Sequence, residues 1–335
     1  MRITVLLGGA ADERAVSLAS GAQVAHALRA AGHDVVAWDT AAGLLTAERE
    51  AELRQGGVAP QPLPPGIRDR LAGGELRELV SHPTAGKADV FFLALHGGAG
   101  EDGTLQALLD AEGLTFTGSD RIGCLLAMDK DLTKRLLRDD GLPTPPWITN
   151  PASVDEVERA TGVPVVVKAA GGGSSLRLIL AHDRTELSAA LIEAQGFGDH
   201  VVAERYVKGR EFTVGILGDQ ALPVGEIIPD HELFDYECKY QPGMAQEIFP
   251  ADLPVSVSEE MKRLALAVHR TLRLRDYSRV DFMLDADDGI WCLEANTLPG
   301  MTANSLLPRA ARAAGIEFPE LCHQIASLAV KRSQG

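Results

Sequence analysis

Between residues 279 and 305, three side chains with hard oxygen atoms fall at strand spacing. Arg279-Val-Asp281-Phe-Met-Leu alternates as a β-strand does, breaks at Asp287-Asp288-Gly289, and resumes as Ile290-Trp-Cys-Leu-Glu294-Ala-Asn296. Such a hairpin can bring Asp281, Glu294 and Asn296 to one face, and the spacing of Glu294 and Asn296 puts those two together by strand geometry. Two carboxylates and an amide suit Mg²⁺, which takes oxygen ligands and keeps positions open for nucleotide phosphates. The same residues would also serve as a solvated hairpin edge. The following Thr297-Leu-Pro-Gly300-Met-Thr302 favours the metal, because this Gly/Pro turn sets backbone N–H groups beside the proposed ion.

Anion chemistry is suggested elsewhere. Pro164-Val-Val-Val-Lys168 reads as a buried strand delivering a lysine, and Gly171-Gly-Gly-Ser174-Ser175 follows before a second strand at Leu176–Leu180. Strand, Gly/Ser loop, strand describes a phosphate lid on a hairpin, since backbone N–H groups and serine hydroxyls can wrap phosphate oxygens. A P-loop would need a different glycine spacing and a following helix. The glycines would equally suit a linker, but Lys168 entering from the strand favours the phosphate reading. Lysine is scarce, 8 of the 32 basic residues. Lys130, Lys168 and Lys239, all in motif-like places, therefore stand out as compact ammonium groups suited to phosphate oxygens. Phe234-Asp-Tyr236-Glu-Cys-Lys239-Tyr240-Gln-Pro-Gly243 has the length and polarity of an active-site lid.

The elements that would position these groups follow from hydrophobic pattern. Ile3–Leu7, Asp34–Trp38 and Val90–Leu95 read as strands and Ser17–Ala30 as an amphipathic helix, a βαβ rhythm that predicts a parallel sheet. Two glycine-rich strand ends, at Gly8-Gly9 and at His96-Gly97 through Gly103, can face one crevice. Gly8-Gly9 lacks the pattern of a dinucleotide-binding turn. Met128-Asp129-Lys130-Asp-Leu-Thr-Lys134 opens a helix to about Asp139, followed by a strand at Trp147-Ile148 and a helix near Val154–Ala160. Glu211–Leu217 and Leu222–Ile228 read as antiparallel strands. Ser258–Leu272 is an amphipathic helix with Ser258 as its N-cap, and Asn304–Ala313 and Pro319–Val330 are C-terminal helices.

The totals bound the class. A chain of 335 residues with 45% apolar and 24% charged residues suits two or three globular domains. No apolar run is long enough to span a bilayer, and the N-terminus lacks a signal-peptide pattern. A net charge of −15 argues against nucleic acid and anionic membranes as partners. Four cysteines (Cys124, Cys238, Cys292 and Cys322), without metal spacing, read as small buried hydrophobes of a reducing cytoplasm.

The ordered set of motifs resembles the D-alanine–D-alanine ligases of the ATP-grasp superfamily. It runs through Gly8-Gly9…Glu13-Arg14…Ser17, His96-Gly97…Glu101-Asp102-Gly103, Asp129-Lys130, Val167-Lys168, Gly173-Ser174-Ser175, Gly209-Arg-Glu211-Phe-Thr213, Tyr236-Glu-Cys-Lys239-Tyr240, Arg279-Val-Asp281 and Glu294-Ala-Asn296 to Ser305. The resemblance implies three α/β domains: a parallel-sheet N-terminal domain (1–119), a central ATP-grasp subdomain (120–206) and a C-terminal ATP-grasp domain (207–335). It implies ATP and two Mg²⁺ ions (Mn²⁺ as a substitute), the metals on Asp281, Glu294 and Asn296. Lys130, Lys168, Lys239, Ser174 and Ser175 would hold phosphates. Glu204 and the backbone of Arg205, Tyr206 and Val207 would hold adenine, and Glu211 the ribose. Glu13 would anchor the ammonium group of the first D-alanine, with His96 either assisting nearby or purely structural. Arg279 and the Gly300 amide would stabilise the oxyanion, and Ser305, Lys239 and Leu306 would receive the second D-alanine. Ser174 and Tyr240 would latch a lid to Glu13, and tyrosine at that place favours an amine over a hydroxyl nucleophile. The product would be D-alanyl-D-alanine for peptidoglycan, made by a cytoplasmic homodimer. The family usually has proline at Ala169 and a Val-Gly pair at Leu176-Arg177. These departures leave open a related ligase of specialised metabolism with altered amino-acid or hydroxy-acid substrates.

Overall fold

The computed structural model describes residues 1–9, 11, 13–55, 79–173, 178–198, 200–234, 238 and 243–334. Three sheets organise them. The first has strands β1 (Arg2–Leu7), β2 (Asp34–Asp39), β3 (Gly43–Leu44) and β4 (Val90–Leu93) in the order β3-β2-β1-β4. β1 runs parallel to β2 and β4, and only the short edge strand β3 is antiparallel. The near-continuous burial of β1 and β4 is what a parallel sheet covered on both faces requires. Helix α1 (Arg14–Ala30) packs against this sheet, and α2 (Ala47–Gln55) packs against α1. Trp38, Phe91 and Phe92 are fully buried in this core, each contributing roughly 1.5–3 kcal/mol of transfer free energy.

Helices α3 (Thr104–Ala111), α4 (Arg121–Met128) and α5 (Lys130–Asp139) lead to the second sheet. It comprises β5 (Trp147–Thr149), β6 (Val165–Ala169), β7 (Leu178–Ala181) and β8 (Val201–Arg205) in the order β5-β8-β6-β7, all antiparallel. Helices α6 (Val154–Thr161) and α7 (Arg184–Ala194) cover it. The hairpin β6–β7 spans the Gly/Ser segment, of which Ser174, Ser175, Leu176 and Arg177 lie outside the described residues.

The third sheet is antiparallel, in the order β12-β11-β9-β13-β14. Its strands are β9 (Gly209–Leu217), β10 (Gln220–Ala221, paired to β9), β11 (Gly225–Pro229), β12 (Ala245–Ile248), β13 (Tyr277–Asp285) and β14 (Ile290–Asn296). The strand expected over Leu222–Ile228 begins only at Gly225, because Pro223 has no N–H for the ladder. α8 (Val255–Thr271) packs on the sheet, and α9 (Leu306–Ala313) and α10 (Phe318–Ser333) close the chain. Ser258 is not the N-cap of α8. The helix starts a turn earlier, with Pro254 in the cap position, where its fixed φ leads the chain into the helix. Residues of α9 and α10 share the core of the first sheet, whereas Ala127 of α4 and Leu137 of α5 share that of the third. Chain segments and cores therefore interlock, which holds the three sheets around a common cleft. Among the described residues no helix is long and apolar enough to cross a membrane.

Candidate active site

One face of the third sheet carries the oxygen ligands proposed from sequence. Register sets Asp281 opposite Glu294 and Arg279 opposite Asn296 on β14, with Thr213 opposite Asp281 on β9. A β-bulge makes this possible. Pairing runs regularly from Leu284 with Ile290 to Phe282 with Cys292, then shifts so that Leu293 is the extra residue. Cys292 and Ala295 consequently both face the core, and Leu293 and Glu294 both line the cleft. Without the bulge Glu294 would stand opposite Val280, whose side chain lies in the core.

Asp281 is buried and fully engaged. One oxygen accepts from Thr213 Oγ1 at 2.7 Å and Arg279 Nε at 2.9 Å, the other from Arg279 Nη2 at 2.8 Å and Asn296 Nδ2 at 3.0 Å. The four bonds fix both carboxylate and guanidinium. Across the cleft Lys130 Nζ lies 3.9 Å from Glu294 Oε2 and donates to the Gly172 carbonyl at 2.7 Å, tying the glycine loop to the metal-type hairpin. Glu294 thus already accepts a cationic neighbour. Two hard carboxylates and an amide oxygen from adjacent strand positions fit Mg²⁺ chemistry.

Lys168 on β6 lies opposite Val202 and so sits diagonally across from Glu204 on β8, with which it forms a buried ion pair. A second lysine, Lys134, reaches the other Glu204 oxygen at 2.6 Å. Burial raises the Glu204 carboxyl, but Lys134 and then Lys168 outweigh it, leaving the group below the usual carboxylate range. Beyond Glu204 the chain leaves the sheet through Arg205, Tyr206 and Val207, all on the cleft wall. The amides of Arg205 and Tyr206 are bonded to Pro146 and Pro164 carbonyls, so two of the three hinge donors are used within the protein. Glu211 lines the same cleft.

The first sheet contributes from its carboxyl edge. Ser17 bridges the ends of β1 and β4, accepting from the Gly8 amide and donating to the Ala94 carbonyl, both at 2.8 Å. Glu13 occupies the N-cap position of α1 without capping it by its side chain. Its buried carboxylate lies against Gly97 and near Gly173. Glu101, next to it, accepts from the Gly97 amide at 3.0 Å. Burial and then the Glu13 charge push the Glu101 carboxyl well above the ordinary range. Both nitrogens of buried His96 are engaged, Nδ1 donating to Leu298 O at 3.1 Å and Nε2 accepting from Ser20 Oγ at 3.2 Å. Burial chiefly lowers its pKa to about 4, so the ring is neutral and firmly oriented.

Ser305 and Leu306 begin α9, and Ser305 Oγ accepts from the Thr302 amide at 3.1 Å. Gly300 lies so close that a Cβ there would stand 2.8 Å from Ser305 Oγ. Ser174, Ser175, Lys239 and Tyr240 lie outside the described residues. A cleft of about 1200 Å³ is lined together by Glu13, His96, Lys130, Lys168, Glu204, Glu211, Asp281 and Glu294. Sequence reasoning passed over two residues of this cluster. Lys134 could have been found from the scarcity of lysine and its place one turn after Lys130. Glu101 carries no sequence signal beyond its place in the run His96-Gly97 through Gly103.

A parallel-sheet α/β unit followed by two antiparallel sheets that enclose a lysine- and carboxylate-lined cleft is the ATP-grasp architecture. The family described as D-ala D-ala ligase N-terminus matches residues 2–119, and that described as D-ala D-ala ligase C-terminus matches residues 136–327. The chain belongs to the D-alanine–D-alanine ligase family. It is 37% identical over 345 residues to the D-alanine–D-alanine ligase of Desulfotalea psychrophila, covering 100% of this chain and 97% of the relative. With that of Geotalea uraniireducens it shares 39% identity over 338 residues, 99% of this chain and 97% of the relative. The crystal structure of D-alanine–D-alanine ligase from Bacillus anthracis superposes with a TM-score of 0.80 at 32% identity, covering 100% of this chain and 99% of that one. The ATP complex of the Bacillus anthracis ligase superposes with 0.78 at 30% identity, covering 100% and 98%.

Proposed function

We propose that the protein is an ATP-dependent D-alanine–D-alanine ligase, forming D-alanyl-D-alanine through a D-alanyl phosphate. The observation that carries this reading is convergence. Glu13 from the first sheet, Lys168 and Glu204 from the second, and Asp281 and Glu294 from the third line a single cleft. Three segments, 1–119, 120–206 and 207–335, then divide the labour among first substrate, nucleotide, and metal with second substrate.

Adenine lies against Glu204 and the Arg205–Val207 hinge, and Glu211 takes the ribose. Lys130, Lys168 and Lys239, with Ser174 and Ser175, hold the phosphates. Asp281, Glu294 and Asn296 would hold Mg²⁺, which when bound offsets negative charge between phosphate oxygens and an approaching carboxylate. Glu13 holds the ammonium group of the first D-alanine, so its carboxylate points to the γ-phosphate. His96, neutral and held at both nitrogens, shapes this pocket and transfers no proton. Ser305, Lys239 and Leu306 receive the second D-alanine, whose neutral amine attacks the acyl phosphate. Arg279 is fixed by its two bonds to Asp281 and meets the oxyanion that forms, together with the Gly300 amide. A preorganised donor of that kind is typically worth about 3–4 kcal/mol. Ser174 and Tyr240 close the lid and exclude water from an intermediate that it would hydrolyse. The proposed setting is the cytoplasm, as a homodimer supplying peptidoglycan precursor. No observation favours the alternative of altered amino-acid or hydroxy-acid substrates.

Mass spectrometry of the product made from ATP, Mg²⁺ and D-alanine tests the reading. D-alanyl-D-alanine with stoichiometric phosphate release is expected. ATP turnover that requires some other amine, hydroxy acid or no amino acid at all would overturn it.

A further inference from the structure

Helix α5 carries two lysines one turn apart, and they face different surroundings. Lys130 lines the cleft, whereas Lys134 is fully buried. The Lys134 ammonium lies 2.6 Å from Glu204 Oε2, donates to Thr144 Oγ1 at 2.8 Å, and sits 5.6 Å from the centroid of the Trp147 ring. Lys168 takes the other Glu204 oxygen and does line the cleft. One carboxylate therefore stands between a core-side and a cleft-side ammonium group.

The charges decide what the cleft-side lysine can do. A pair made of Lys168 and Glu204 alone sums to zero, and the carboxylate would cancel the ammonium toward any phosphate nearby. With Lys134 held as an ammonium by its ion pair with Glu204 and its bond to Thr144, against the opposing cost of burial, the sum is one positive charge. Lys134 has no access to the cleft, so the excess is expressed at Lys168. Away from bulk water such a charge acts on a phosphate with little screening. We infer that Lys134 is a positioning residue: by holding the core-side oxygen of Glu204 it leaves Lys168 a net positive charge for nucleotide phosphates. The inference rests on the nucleotide reading of the cleft given above.

The test compares dissociation constants of adenosine and ADP for the wild-type chain, Lys134→Met, and Lys134→Met combined with Glu204→Gln. Lys134→Met should weaken ADP about tenfold more than adenosine, because only ADP meets the cancelled charge. The KM for ATP should rise correspondingly while kcat changes little. Removing the carboxylate in the double variant frees Lys168 again, and the ratio of adenosine to ADP affinity should return to within about threefold of wild type. Equal weakening of both ligands with no recovery in the double variant is the signature of a merely structural lysine and overturns the proposal, as does an unchanged ratio in Lys134→Met. Should that variant fail to fold, Lys134→Gln keeps a donor for Thr144 without the charge and carries the same expectation. A wild-type protein that binds neither ligand overturns the nucleotide reading itself, and the proposal with it.

Discussion

Glu13 is held by space as much as by charge. Gly97 beside it has φ +66°, and a Cβ there would lie 1.9 Å from Glu13 Oε2. No L side chain fits without displacing the carboxylate or straining the backbone. Gly97→Ala should therefore raise the KM for D-alanine by about tenfold or more, the scale of one displaced charge-assisted contact. The KM for ATP should stay within about threefold of wild type. Steady-state kinetics with each substrate varied in turn checks this, and an unchanged KM for D-alanine would remove Glu13 from the proposed ammonium site. Glu294 poses the complementary case. On the proposed reading its partner would be a metal cation that acts most strongly as charge builds in the reaction, so Glu294→Ala should lower kcat by about a hundredfold or more with a much smaller change in nucleotide affinity. A variant that keeps wild-type kcat would refute Glu294 as a ligand.

Secondary structure carries these residues into register, and here the limits of the sequence become physical. The β1–α1–β2 unit and the hairpin of β13 and β14 were legible because burial on one or both faces imposes a period that side chains report. The bulge at Leu293 was not: a leucine in an alternating strand looks the same whether or not the partner strand slips past it. Its consequence is large, since it brings Glu294 opposite Asp281. The cap of α8 was misread for a similar reason. Ser258 has the right chemistry for a cap, but the chain is already helical when it arrives. Lys134 and Glu204 are far apart in sequence, and their pairing emerges only when α5 packs against the second sheet. That helix is itself well marked: Asp129 caps it by accepting from the Asp131 and Leu132 amides at 2.9 and 3.0 Å. Asp129→Ala should cost about 1 kcal/mol of stability. Because Lys130 is the first residue of the helix, the same change should also weaken ATP binding by a fewfold, which calorimetric titration alongside a denaturant melt would reveal. Full retention of both would mean that the first turn is held by something other than its cap.

Across the whole molecule, two neutral histidines tie stability to pH. His96 joins the first sheet to the turn after β14 through the Leu298 carbonyl, and His269 joins α8 to β13 through Ser278 Oγ at 2.7 Å. Burial chiefly lowers each pKa from the ordinary 6.5 to about 4. The unfolded chain thus takes up protons below pH 6.5 that the folded chain refuses until about pH 4. Stability from these groups is fully present above pH 6.5 and drains away as pH falls through that window. Two and a half units correspond to about 3 kcal/mol per histidine as an upper bound. Since His269 lies in the core beneath the third sheet and outside the cleft, His269→Gln can test this without touching substrate. Its denaturation midpoint, followed by circular dichroism from pH 7 to about pH 4, should fall less steeply than that of the wild type. An identical slope in the two proteins would show that His269 takes up its proton without unfolding the chain, and that acid lability arises elsewhere.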